Sequence, residues 1–456
     1  MKKNSSFLHY FFLFLSLSFF SSFSLKAYDL EDKNPRTRFF QGFTLTEDPA
    51  HPYKANLGEG ASLTPAQEAI LKAKELGSNH IILTPRAIML GPNTNIVTPV
   101  TKRGINRKRE QEGYRTLIEF IHQQDMTVGI RPIFFVVSDL NSLGPYYETY
   151  QDENGQTQRR LRWHGNITPT DPEAWFESFQ SYLSIYLRIA SENKVEAFTI
   201  GAELYSMTVG IEDFWKEHPH GFPRNWLQIL SNARDVLGNE TTLMYDVNFT
   251  DDSNQNSDGE LRVAGGELER WRYRLVDLAP DTLEERTRER RDDDSGWHYL
   301  RDFWMNLDMV GIDMYRSLAS SKDVVSDDYS TLVYFLSERA GMYGDQLDDF
   351  ANQIKTTLRG HHKNYIFKEL GYRSSTKGFI NPFEWDNRDE EVNILHQSAA
   401  YQAFFEGIWA SQLDWFKGAV FWDLSINQHR WGAEDPGFCP IGKKETEHVI
   451  RTFFNE

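Results

Sequence analysis

Two glutamates stand where apolar runs stop. Glu203 follows "VEAFTIGA" (residues 195–202) and Glu369 follows "NYIFK" (364–368), each after a run that reads as a buried strand and each just before a turn. Either carboxylate alone is ordinarily a salt-bridged or solvated strand end. Delivered together to one face, the two make the constellation that cleaves glycosidic bonds with retention. One carboxyl protonates the leaving oxygen, the other attacks the anomeric carbon, and they sit roughly 5–5.5 Å apart. The acid must hold its proton near neutral pH, which burial or a nearby negative charge at the rim of a core supplies.

Such a pair needs a scaffold that brings several strand ends to one mouth. Short β-branched or aromatic runs recur at residues 39–45, 80–85, 126–136, 195–201, 241–247, 307–315, 364–370 and 417–424. Amphipathic helical stretches lie between them, among others at 64–77, 172–193 and 393–412. Apolar runs without alternation suit strands buried on both faces. Eight of them alternating with helices predict a (β/α)8 TIM barrel of the α/β class with long βα-loop insertions, whose active face is the C-terminal ends of the strands. Glu203 and Glu369 then end the fourth and seventh strands. The polar, charged stretch at about 250–295 is an insertion after the fifth strand; a disordered surface loop, a helical excursion and a lid over one face of the barrel are the readings open to it, and a charge run of this kind is usually a solvated face.

Residues 1–27 carry Lys2 and Lys3 ahead of an apolar run and end in Ser-rich sequence, the layout of a secretory signal peptide; an uncleaved anchor is the competing reading. Residues 28–456 then form a single catalytic domain, exported to the periplasm or beyond. Removing 1–27 takes away three lysines and no acid, leaving 46 basic against 66 acidic residues. That balance argues against nucleic acid and anionic membrane as partners. Cys439 is the only cysteine, so Cys-rich metal sites and intramolecular disulfides are excluded. His361-His362 has no helical metal spacing, and neither a phosphate loop nor a nucleophile-elbow serine occurs.

The chain resembles glycoside hydrolase family 113 of clan A. The resemblance rests on "RWHGNITPTDPEAWFESFQSYLSIYLRIASENKVEAFTIGAEL", on "FWMNLDMVGIDMYRSL", on the nucleophile motif in "IFKELGYRSS", and on "QSAAYQAFFEGIW", "GAVFWDL" and "PIGKKETEHVI" towards the C-terminus. It implies a retaining β-glycosidase, most of all an endo-acting β-1,4-mannanase, with carbohydrate as the partner and no metal or other cofactor. Glu203 resembles the acid/base and Glu369 the nucleophile. Tyr315 is placed to hydrogen-bond the nucleophile, Trp422 to offer a flat face to the sugar, Trp163 to stack on one, and Arg131 and Asn248 to grip hydroxyls. Two positions depart from the pattern: Ala202 stands where clan A enzymes commonly have Asn, and Ile133 where the family often has His. They motivate the alternatives of a catalytically impaired carbohydrate-binding barrel or a β-glycosidase of other sugar specificity. A metal-dependent barrel enzyme or isomerase is a third reading.

Overall fold

The computed structural model describes residues 39–46, 63–100, 105–152, 154–211, 215–251, 266–288, 295–384, 390–411 and 413–455. Residues 1–27, read as the signal peptide, lie outside them, as do 252–265 and 289–294 of the charged insertion. Eight strands close into one barrel: β1 (Phe40–Thr46), β2 (His80–Leu83), β3 (Thr127–Ile130), β4 (Ala197–Ala202), β5 (Thr242–Thr250), β6 (Met309–Tyr315), β7 (Asn364–Leu370) and β8 (Phe416–Ser425). Every neighbouring pair is parallel. The helices that follow them in order are α1 (Pro65–Glu75), α2 (Ile105–Gln123), α3 (Pro172–Glu192), α4 (Pro223–Leu237), α5 (Trp297–Asn306), α6 (Tyr329–Thr357), α7 (Ile394–Gly407) and α8 (Lys444–Phe454). This is the (β/α)8 barrel expected from the alternation of runs.

Local chemistry sets the helix starts. Thr64 and Gln67 form a reciprocal capping box ahead of α1, and Asp171 caps α3 with Pro172 in its first turn, where a missing N–H costs nothing. The helices cover the barrel with aromatic side chains: Trp226 of α4, Trp271, and Phe303 and Trp304 of α5 are all buried. Gly201 has a packing reason, because a Cβ there would lie 2.7 Å from the Trp226 ring.

Inside the barrel, Phe40, Ile82, Ala197, Met244, Met309, Ile366 and Val420 form a separate apolar cluster, one residue from each of seven strands. Side chains alternate along a strand, so two residues further on the same inward face come Thr199, Asp246, Gly311, Lys368 and Trp422. An apolar plug thus closes the lower barrel, and a polar layer sits above it towards the C-terminal mouth.

Two expectations are corrected. The run at 126–136 is not one strand: it breaks at Arg131-Pro132, and Ile133–Val137 leaves the barrel to pair in parallel with Arg86–Leu90. Proline has no N–H to give a central ladder, so the break falls there. The charged insertion is not simply a solvated face. Its residues Gly266–Arg272 form a helix, continued by a wider turn over Tyr273–Asp277, that buries Glu267, Leu268, Trp271 and Leu275 against the barrel. Among the described residues no helix is long and apolar enough to cross a membrane.

Candidate active site

The strands that deliver the two glutamates are both irregular just before them. Met244 and Asp246 of β5 pair with Thr199 and Ala202 of β4, so β4 carries one extra residue ahead of Glu203. Ile312 and Asp313 of β6 pair with Phe367 and Glu369 of β7, so Lys368 is the extra residue ahead of Glu369. A third such bulge on β8 takes in Trp422 and Asp423, which are joined by a cis peptide bond. A bulge re-aims the side chain beyond it, and here three bulges turn three strand ends towards one mouth.

Glu369 is held from two sides. The Tyr315 hydroxyl, at the end of β6, donates to its Oε2 at 2.7 Å. The Arg131 guanidinium, directly after β3, donates to its Oε1. The same guanidinium donates through Nε to Asp246 and through its second terminal nitrogen to Asp313, each at 2.7 Å. Asp246 and Asp313 are fully buried, and Lys368 is buried next to them. Burial pushes the Glu369 carboxyl up, and the Glu203 carboxylate adds to that push; Arg131 and the Tyr315 hydrogen bond pull it back down. Asp313 is likewise raised, by burial first, with Arg131 opposing. One guanidinium therefore keeps three carboxylates together at the bottom of the mouth, an arrangement stable only while each stays hydrogen-bonded.

Glu203 is held differently. Its φ is +53°, a left-handed conformation that costs roughly 1–2 kcal/mol for a residue with a Cβ. Its N–H donates to the Asp246 carbonyl at 2.8 Å, and the next N–H, of Leu204, donates to the Tyr245 hydroxyl at 2.9 Å. In front of it, His164 Nε2 lies 3.4 Å from Glu203 Oε2. The His164 ring packs edge-on against Trp163 and Phe134, and Trp163 also meets Tyr205. Gly165 lets this loop close in, since a Cβ there would lie 2.8 Å from the Glu203 carbonyl oxygen.

Glu203, Glu369, Tyr315 and the partly exposed Trp422 and Trp163 thus lie at or beside the mouth. The expectation that Arg131 and Asn248 grip sugar hydroxyls is corrected. Arg131 is 2% exposed and its three nitrogens face carboxylates. Asn248 is 1% exposed, and its Oδ1 accepts from the N–H of Glu267 at 2.7 Å, pinning the start of the Gly266–Arg272 helix. Sequence reasoning missed Asp246, Asp313, Lys368, His164 and Glu267. Alternation held a signal for the first two, since Asp246 and Asp313 lie two residues before Asn248 and Tyr315 on the same strand faces. Among the described residues no group of three or more His, Cys, Asp or Glu is arranged to hold a metal ion.

Fold and site together define a (β/α)8 barrel that presents carboxylates from its fourth and seventh strands. Residues 297–443, which include Tyr315, Glu369 and Trp422, match the model of Glycoside Hydrolase Family 113. The resemblance read from the motifs is borne out over that span, and it supports a glycoside hydrolase. Solved structures of similar fold include a family 113 β-1,4-mannanase determined as a complex, 16% identical, with a TM-score of 0.55 over 92% of this chain and 99% of that one. The family 113 β-mannanase AaManA from Alicyclobacillus acidocaldarius, solved with ManMIm, is also 16% identical, at a TM-score of 0.55 over 91% and 97% of the two chains. Among curated protein sequences no match was found.

Proposed function

We propose that the chain is an exported, retaining β-glycosidase acting on β-1,4-mannan or a closely related β-linked polysaccharide. The observation that carries this reading is the delivery of Glu203 and Glu369 to one mouth, with Tyr315 and Arg131 donating to Glu369 and favouring its carboxylate form. In this reading the Glu369 carboxylate attacks the anomeric carbon while Glu203 gives its proton to the departing oxygen. Glu203 then takes a proton from water, whose oxygen displaces Glu369 and frees the sugar. Trp422 offers its face to the sugar beside the scissile bond, and Trp163 forms part of the wall near Glu203. The β-mannanases of similar fold support the choice of mannan. Export rests on residues 1–27, and N-terminal sequencing of the exported protein, expected to start after Ala27, tests it.

The enzymatic test is turnover of β-mannan, glucomannan, β-glucan and xylan by the native protein and by Glu203→Ala and Glu369→Ala. We expect mannan or glucomannan to be cleaved, and the Glu369 variant, folded as judged by circular dichroism, to lose on the order of 10³-fold or more in kcat. Oligosaccharide binding by the native protein without any turnover would point instead to a carbohydrate-binding barrel.

A further inference from the structure

Behind the turn that carries Glu203 lies a carboxyl with no part in the two-glutamate chemistry. Glu267 sits in the helix after β5, 3% exposed. Its Oε1 accepts from the Tyr245 hydroxyl at 2.8 Å, from Trp271 Nε1 at 3.1 Å and from Thr208 Oγ1 at 3.3 Å. The Tyr245 hydroxyl in turn accepts the N–H of Leu204, the residue after Glu203, at 2.9 Å. Thr208 Oγ1 is also within 3.1 Å of the Leu204 carbonyl oxygen. Thr208 has one hydroxyl proton to share between Glu267 and that carbonyl, so the firm link from Glu267 to Leu204 runs through the Tyr245 hydroxyl and the Leu204 amide.

We propose that Glu267 is a positioning residue: its Oε1 orients the Tyr245 hydroxyl, and through the Leu204 amide that this hydroxyl accepts it holds the left-handed turn that aims Glu203 into the mouth. This rests on the reading of Glu203 as the acid/base. The turn needs an outside hold because a φ of +53° is unfavourable for glutamate, and the amide of Leu204 is what ties its far side down. Tyr245 can accept that amide only if its own proton points elsewhere, and Glu267 Oε1 is where it points. The titratable groups acting on Glu267 are Tyr245 from β5 and Glu203 across the turn. Burial pushes its carboxyl up to about 8, the Glu203 carboxylate adding to the rise and the hydrogen bonds of Tyr245, Trp271 and Thr208 opposing it. Glutamine keeps the acceptor without the charge, so it is the substitution expected to preserve the hold on Tyr245.

The experiment compares Glu267→Leu, Glu267→Gln and Tyr245→Phe with the native enzyme on mannooligosaccharides, each variant checked for folding by thermal unfolding. Glu267→Leu and Tyr245→Phe are expected to lower kcat by about tenfold to a hundredfold while KM changes little, the signature of a misaimed catalytic group. Glu267→Gln is expected to recover most of that loss. A folded Glu267→Leu variant with native kcat, or a glutamine variant as impaired as the leucine one, overturns the proposal. Hydrogen–deuterium exchange of the peptide containing Leu204 reads the hold without turnover. Slow exchange in the native chain and faster exchange in Tyr245→Phe and Glu267→Leu support it, and equal rates in all three sink it even if no substrate is cleaved.

Discussion

At the scale of single residues, the account turns on what opposes the burial of the Glu369 carboxyl. Tyr315 opposes the burial that raises the Glu369 carboxyl. Removing its hydroxyl in Tyr315→Phe therefore moves the Glu369 pKa further up, and the acid limb of the kcat/KM–pH profile shifts to higher pH, with kcat at the optimum down by about tenfold. A pH series of initial rates checks both. Glu203, Glu369 and Tyr315 were legible in the sequence because each ends an apolar run, where a polar residue stands out. Asp246 and Lys368 were hidden inside runs that read as strand core. Neither run shows that Arg131 and its acid partners meet across the barrel, because those contacts join residues more than a hundred positions apart. Arg131 was misassigned for the same reason: a lone arginine at a strand end is as fit for sugar as for carboxylate until its neighbours are known.

At the scale of elements, three bulges and two glycines set the aim of the site. Gly371 follows β7, the strand that delivers Glu369, and a Cβ there would come within 2.0 Å of the Trp422 carbonyl oxygen. Gly371→Ala must push the ends of β7 and β8 apart, so it is expected to reduce kcat through both Glu369 and Trp422 and to cost about 1–3 kcal/mol of stability. Gly201→Ala, facing the Trp226 ring instead, is expected to destabilise by a similar amount. Denaturant unfolding with parallel kinetics measures both. The strands and their order were legible because buried parallel strands are short apolar runs between amphipathic helices. The bulges were not, since an extra residue in a strand leaves the apolar pattern intact. The split of the third run did have a signal in Pro132, which the surrounding apolar residues masked.

At the scale of the whole molecule, an apolar plug carries a buried charge cluster, and that cluster is a stability liability as well as a site. Arg131→Met leaves Asp246, Asp313 and Glu369 without their common donor and is expected to destabilise by about 3–5 kcal/mol. Glu267 adds a pH dependence of known sign. Its carboxyl moves from an ordinary value of 4.5 up to about 8 on folding, so between those values the folded chain holds a proton that the unfolded chain releases. This group's contribution to stability is complete below pH 4.5 and declines as pH rises towards 8. Thermal unfolding should show Glu267→Gln gaining on the native chain as pH is raised through that window.

The central claim is that Glu369 forms a bond to the sugar, and trapping that bond tests it most directly. Incubation with a 2-deoxy-2-fluoro-β-mannosyl fluoride, followed by proteolysis and mass spectrometry, is predicted to place one fluoromannosyl group on Glu369 and none on the Glu369→Ala variant. Hydrolysis of mannooligosaccharides without any adduct, with the inverted anomer as the first product by proton NMR, would contradict it.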